Sequence, residues 1–265
     1  LMNLDLTGKT ALVTGSTEGI GFAIAKGLAE HGARLLLNGR KEEKTAKAVE
    51  RLKSQVSGVE ADGLAGDLAT SEGCKSVAER AGDVDILINN AGIFQPEDFY
   101  DADDETWDRH WQLNVMSGVR LSRALTPGMV DRGWGRVIFL GSESAYNIPA
   151  EMIHYGVTKT ADVSLARGLA KRLADTGVTV NSVLPGPTRS EGFEAMFEDE
   201  IEKTGKSMEE LGRNFVQENR PSSIIQRPAT VEEVANLAVY LSSPAASATT
   251  GAAMRVDGGV IDSIV

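Results

Sequence analysis

Thr10-Ala11-Leu12-Val13-Thr14-Gly15-Ser16-Thr17-Glu18-Gly19-Ile20-Gly21 joins an apolar, strand-like run to a glycine turn and then to the start of an amphipathic helix. Glycines let a backbone turn sharply and approach a pyrophosphate closely, and the free N–H groups at a helix start offer an anion hydrogen bonds and partial positive charge. The spacing is T-G-x-x-x-G-x-G rather than G-x-G-x-x-G, and any turn before a helix can use glycines. The strand before and helix after point instead to a dinucleotide site. Gly15, Ser16, Thr17, Glu18, Gly19, Ile20 and Gly21 are its candidate contacts.

Outward from this turn the same rhythm repeats. Short apolar runs predict strands at 10–14, 34–38, 59–65, 86–89, 136–140, 179–184 and 254–256. Between them, helical periodicity covers 20–30, 42–54, 105–131, 152–176 and 231–242, with Gly32 closing the first helix. Leu35-Leu36-Leu37 and Ile86-Leu87-Ile88 are apolar on both faces, as in strands covered by helices on each side. The expectation is one α/β domain over 1–265, with seven parallel strands and right-handed crossovers placing helices on both faces. The interruption is 187–227, polar and acidic, with helix-like runs at 191–203 and 208–219. A segment of that length outside the strand rhythm reads as a lid over substrate, the alternative being a surface insertion.

Composition narrows the function. A net charge of −11, spread along the chain, argues against binding nucleic acid or an anionic membrane. Cys74 stands alone, which excludes an internal disulfide and fits a reducing compartment. No apolar run approaches the roughly 20 residues that span a bilayer, and 1–9 lacks the basic start and apolar core of a signal peptide. A cytoplasmic protein is expected. No His/Cys/Asp/Glu spacing predicts a metal site, and Gly141-Ser142-Glu143-Ser144 lacks the second glycine of a hydrolase nucleophile elbow.

At the end of the second strand a carboxylate would bind both ribose hydroxyls of NAD and repel the 2′-phosphate of NADP. The residues there are Asn38-Gly39-Arg40. Arg40, assisted by Lys41, offers a phosphate its fork of donors and favours NADP, with NAD as the alternative. Glu18 in the glycine turn stands against this, and Arg40 can also be read as a solvated residue opening the next helix.

Five separated motifs, in order, make the chain resemble the short-chain dehydrogenase/reductase family over 8–259, with members of the oxoacyl-carrier-protein reductase and sugar or polyol type as the nearest pattern. They are the glycine turn, Asp67-Leu68, Asn89-Asn90-Ala91-Gly92, Ser142 with Tyr155-Gly156-Val157-Thr158-Lys159, and Pro185-Gly186. The resemblance implies a Rossmann-type doubly wound sheet and hydride transfer between NADP(H) and a carbonyl or alcohol substrate. It further implies that Asp67 takes the adenine amino group, Leu68 its ring face, Asn90, Ala91 and Gly92 the adenosine ribose, and Pro185, Gly186 and Thr188 the nicotinamide. Asp67 read alone serves equally as a helix cap. The family's members are usually tetramers or dimers, built on the long helices around the fifth strand.

Tyr155 and Lys159, four residues apart in a helical stretch, stack on one face. A free phenol titrates near pH 10, so a neighbouring cation is needed to favour the phenolate. Tyr155 is the expected acid/base and Lys159 its electrostatic partner, both also touching cofactor. Ser142, directly after the fifth strand, would hold the substrate oxygen, with Ser144 as a second candidate. The resemblance assigns Asn114 a water that links Lys159 to solvent; a satisfied core amide is the alternative. His31 reads as a helix-end residue, His110 as a helix-surface residue and His154 as a packing neighbour. A non-enzymatic dinucleotide sensor on the same fold is the competing reading. It need not keep the complete Asn114, Ser142, Tyr155 and Lys159 set found here. The substrate pocket is expected between Ala145, Asn147, Ile148 and Met152 and the 187–227 segment, fitting a medium-sized, partly apolar substrate.

Overall fold

The computed structural model describes residues 2–264. Its elements run β1 (Thr10–Val13), α1 (Gly19–Glu30), β2 (Arg34–Leu37), α2 (Glu42–Gln55), β3 (Ala61–Gly63), α3 (Ser71–Ala81), β4 (Ile86–Asn89), α4 (Asp104–His110), α5 (Ser117–Asp131) and β5 (Gly135–Leu140). They continue with α6 (Ile153–Arg172), β6 (Val178–Pro185), β7 (Thr188–Arg189), α7 (Glu191–Ala195), α8 (Glu198–Thr204), α9 (Met208–Asn219), β8 (Ala229–Thr230), α10 (Val231–Ser242) and β9 (Ala253–Val256). Seven strands form one sheet in the order β3-β2-β1-β4-β5-β6-β9, every pair parallel.

Alternate residues of each strand feed two separate apolar layers. Ala11, Val13, Leu35, Leu37, Ile86 and Ile88 pack with Phe22, Ile24 and Leu28 of α1 and Val234 and Ala238 of α10. Leu12, Leu36, Leu87, Val137 and Phe139 face the other way, onto Val77 of α3, Leu121 and Leu125 of α5 and Ala166 of α6. This is the doubly wound α/β sheet that the apolar runs predict. Strand order reverses between β1 and β4, and the C-terminal ends of these strands flank the crevice where open sheets of this kind take ligands.

Three elements differ from expectation. The third strand is only Ala61–Gly63, because it pairs on one side alone, with β2. The long helix predicted at 105–131 is broken into α4 and α5 by a π-helical turn, Trp111–Met116, which carries Asn114. Such turns insert one residue into a helix and re-aim the side chains they carry. The run at 191–203 divides into α7 and α8 around Met196 and Phe197, and Phe197 packs against Phe193 and Phe215 at ring-centroid distances of 5.2 and 5.9 Å. The parallel pairing of β7 with β8 brings the two ends of this excursion together. No helix among the described residues is long and apolar enough to cross a membrane.

Candidate active site

The glycine turn is held in shape by two asparagines. Gly15 and Gly19 have φ of +58° and +60°, in the left-handed region that glycine adopts without strain. A Cβ on Gly21 would lie 2.5 Å from both Asn90 Nδ2 and Gly15 O, so the close approach of helix to turn requires a glycine there. Asn90 Nδ2 donates to Thr14 O and Gly15 O at 3.0 Å, and Thr14 Oγ1 accepts from the N–H groups of Asn90 and Ala91 at 2.9 Å. Asn38, 2% exposed, accepts from Gly15 N at 3.2 Å through Oδ1 and donates to Leu64 O at 2.9 Å through Nδ2. Ser16 is a brace rather than an open contact. It is fully buried, its hydroxyl donates to Val13 O and accepts from Asn38 N, and its own N–H donates to Asn38 O.

The N-terminus of α1 has no side-chain cap and no acid in its first turn. One acid comes from far along the chain. Glu191, opening α7, accepts from Gly19 N at 2.8 Å and pairs with Arg51 of α2 at 3.3 Å, placing a carboxylate where the turn is expected to meet a pyrophosphate. Nothing in the local sequence around Glu191 signals that contact; it arises from the return of the chain after β6.

At the end of β2, Arg40 is exposed and makes no hydrogen bond or ion pair among the described residues. Glu18, the residue that stood against NADP, pairs with Lys44 at 2.8 Å. A Cβ on Gly39 would lie 2.5 Å from Thr17 Cγ2, which shows how tightly the strand end and the glycine turn are apposed. Asp67 is exposed, and α3 is capped instead by Thr70, whose hydroxyl accepts from Gly73 N. Leu68 departs from expectation: at 3% exposed it packs in the apolar layer with Val77 and Leu121, so its side chain offers no open face for a ring.

At the end of β5, Ser142 is half-buried and its Oγ accepts from Ser144 N at 3.1 Å. The short turn after it packs on α6, where Thr160 Oγ1 donates to Ala145 O and a Cβ on Gly156 would meet Ser144 O at 3.2 Å. That contact sets the serine against the first turns of α6, which carry Tyr155 and Lys159. Lys159 Nζ lies 5.8 Å from the Tyr155 ring centroid and donates to Leu140 O at 2.7 Å, while Phe94 meets the tyrosine edge-on at 6.1 Å. Asn114 Nδ2 donates to Ile93 O and Thr158 Oγ1, and Oδ1 accepts from Ile93 N. Both its amide hydrogens are donated to protein groups, which fixes the residue beside α6.

Two further features lie beside this set. Glu143, 3% exposed and next to Ser142, accepts from Arg220 Nε at 2.6 Å, tying the end of α9 to the end of β5. Thr188 donates to Gly186 O, and only 9% of its surface is exposed. His110 is not on the surface. It is fully buried, with Nδ1 beside Thr106 O at 2.8 Å and its ring 4.4 Å from that of His154, and burial pushes its pKa below the usual value. With Thr106 it forms the buried side of α4, which packs on α6.

The comparisons with known proteins agree on one family. The family model for short chain dehydrogenase matches residues 9–201. YvaG of Bacillus subtilis, described as an uncharacterized oxidoreductase, is 47% identical over 99% of this chain and 100% of its own. A D-beta-hydroxybutyrate dehydrogenase of Cupriavidus necator is 35% identical over 96% of this chain and 98% of its own. L-Sorbose reductase from Gluconobacter frateurii, solved with NADPH and L-sorbose, superposes with a TM-score of 0.92 at 35% identity, covering 99% of this chain and 100% of that one. The chain belongs to the short-chain dehydrogenase/reductase family, NAD(P)-dependent oxidoreductases acting on CH–OH groups.

Proposed function

We propose that this enzyme moves a hydride between NADP(H) and a medium-sized carbonyl or alcohol, with Tyr155 as the acid/base. The observation that carries the chemistry is the placement of the Lys159 ammonium 5.8 Å from the Tyr155 ring, on a helix packed against the turn that bears Ser142. The site's residues fit the dinucleotide. The glycine turn is closed to any Cβ at Gly21, the first turn of α1 carries no acid while the carboxylate of its N-cap Glu18 is paired with Lys44, and the Arg40 guanidinium at the end of β2 has no partner among the described residues. When bound, NADPH supplies the hydride. Tyr155 donates its hydroxyl proton to the carbonyl oxygen, and the Lys159 ammonium stabilises the phenolate left behind. Ser142 holds the substrate oxygen toward Tyr155. In alcohol oxidation the same proton moves in reverse.

Arg40 supports NADP over NAD, because a planar fork of donors pairs with a 2′-phosphate and no group among the described residues competes for it. Gly15, Thr17, Gly19, Ile20, Gly21, Asp67, Ala91, Gly92, Pro185, Gly186 and Thr188 line the proposed cofactor path, and Asn38, Ser16 and Asn90 shape it. The 187–227 segment covers this path, tied down at Gly19 by Glu191 and at Glu143 by Arg220. A homo-oligomer is supported by half-exposed Trp111 and Val157 on the long helical elements flanking β5.

Titration with NADPH and NADH, on the parent and on Arg40→Ala, tests the cofactor reading. The parent is expected to prefer NADPH, and the variant to lose that preference; equal affinities in the parent would overturn it. A panel of keto-sugars, oxo acids and oxoacyl thioesters followed at the nicotinamide absorbance tests the reaction. NADPH binding with no oxidation across the panel would favour a dinucleotide sensor.

A further inference from the structure

Asp162 lies three residues beyond Lys159 on α6, and the scheme above gives it no part. Its side chain is 3% exposed. Oδ2 lies 3.3 Å from Lys159 Nζ, and buried Oδ1 has no hydrogen-bond partner among the described residues. A carboxylate taken out of water normally collects several hydrogen bonds, so one left with a single partner and an orphaned oxygen is costly to keep for packing alone. Lys159 is itself 6% exposed and spends its other bond on Leu140 O, two residues before Ser142. The lysine is therefore held between the end of β5 and a buried acid.

We infer that Asp162 is a positioning residue for proton transfer: it fixes the Lys159 ammonium beside β5 and sets how much of that positive charge reaches Tyr155. The inference rests on the acid/base reading of Tyr155. An ammonium 3.3 Å from a carboxylate acts at a distance more like a dipole than a full charge. Tyr155, one turn back along α6, meets that weakened field. The other buried ionisable groups on the neighbouring elements are engaged elsewhere, Arg136 of β5 with Ser243 O and Gly135 O. Glu143, on the turn packed against α6, pairs with Arg220, and His154 on α6 meets His110 of α4. Among the described residues, Lys159 is the charged side chain that pairs with Asp162. Burial lifts the Asp162 carboxyl from 3.8 to about 7, opposed by Lys159, so the cancellation weakens as the acid takes up a proton around neutral pH.

Asp162→Asn keeps the shape and removes the charge; Asp162→Val removes the polar group as well. The readouts are the pH profile of kcat for alcohol oxidation and the Kd for NADPH. With the full lysine charge restored, the inflection governing oxidation is expected to move down by about one pH unit in both variants, while NADPH affinity stays within about twofold. An inflection that stays in place or moves up would overturn the inference. So would failure of both variants to fold, which would make the pair a purely structural requirement. Tyr155→Phe separates the two levels of the argument. Turnover surviving in that variant removes the acid/base reading itself, whereas its loss, with an unmoved Asp162→Asn profile, removes only the role of Asp162.

Discussion

Replacing Asn38 with alanine should both destabilise the protein and loosen its cofactor turn. The side chain links segments far apart in sequence, accepting from Gly15 N at 3.2 Å and donating to Leu64 O at 2.9 Å and, more weakly, to Gly66 O at 3.5 Å. A net hydrogen bond contributes about 1 kcal/mol, and a buried group left without a partner costs about 1–3 kcal/mol. Gly15 is only half-buried and recovers water, whereas Leu64 is buried and its carbonyl does not. The sum is about 2–4 kcal/mol, which for a chain of this size lowers Tm by about 5–10 °C. Because the lost bond at Gly15 also frees the turn, NADPH should bind about tenfold more weakly, measured by fluorescence titration beside the thermal melt. Ser16→Ala gives the companion variant, since its hydroxyl bridges Val13 O and Asn38 N. In the double variant the two losses should couple by about 1 kcal/mol rather than add. Melting within about 1 °C of the parent together with unchanged NADPH affinity would refute the bracing role.

Three further outcomes follow from charged contacts. Glu191→Gln should tighten NADPH about three- to tenfold by removing the carboxylate that sits on Gly19 N, as titration would show; weaker binding would mean that Glu191 closes over the pyrophosphate instead. Arg220→Ala leaves Glu143 buried without its cation and should cost about 3–5 kcal/mol in urea unfolding, with Glu143→Gln in the same chain recovering much of it. Burial, with the nearby Asp257 carboxylate, holds the Glu143 carboxyl above its ordinary 4.5 even with Arg220 present, so that loss should be larger at pH 8 than at pH 5; an equal loss at both would contradict the pairing. His110, buried as the neutral ring with its pKa pushed below 6.5, contributes stability that is full above that value and is lost as pH falls toward the folded pKa. Unfolding of His110→Phe between pH 7.5 and 5.5 should therefore depend less on pH than that of the parent.

The sheet was legible because each strand is a short apolar run whose alternate residues feed two layers, and the helices between them keep a clear period. The proposed catalytic pair was legible because a spacing of four residues on a helix fixes a shared face. Residues whose partners lie far away in sequence were not. His110 belongs to a polar, acidic stretch of sequence, Asp104-Glu105-Thr106-Trp107-Asp108-Arg109, yet its burial depends on how α4 lies on α6. Leu68 stands beside an exposed Asp67, and only the packing of α3 shows that it points inward. Asn38 reads as the missing carboxylate of an NAD site, while its part in holding Gly15 needs the third strand in place. Glu191 and Arg220 meet their partners 172 and 77 residues away, beyond any local pattern. The π-helical turn at Asn114 left no mark in the periodicity, since it adds a single residue to a helix that continues on both sides.

The central proposal is that Tyr155 moves the proton, with most of the NADP(H) affinity supplied by the glycine turn and Arg40 rather than by the phenol hydroxyl. It is tested most directly by measuring Tyr155→Phe twice, once for NADPH affinity by fluorescence titration and once for single-turnover oxidation of NADPH with the best carbonyl substrate of the panel. The account predicts NADPH affinity within about threefold of the parent and a rate reduced by a factor of about 100 or more. A Tyr155→Phe enzyme that binds NADPH and oxidises it at the parental rate would contradict it.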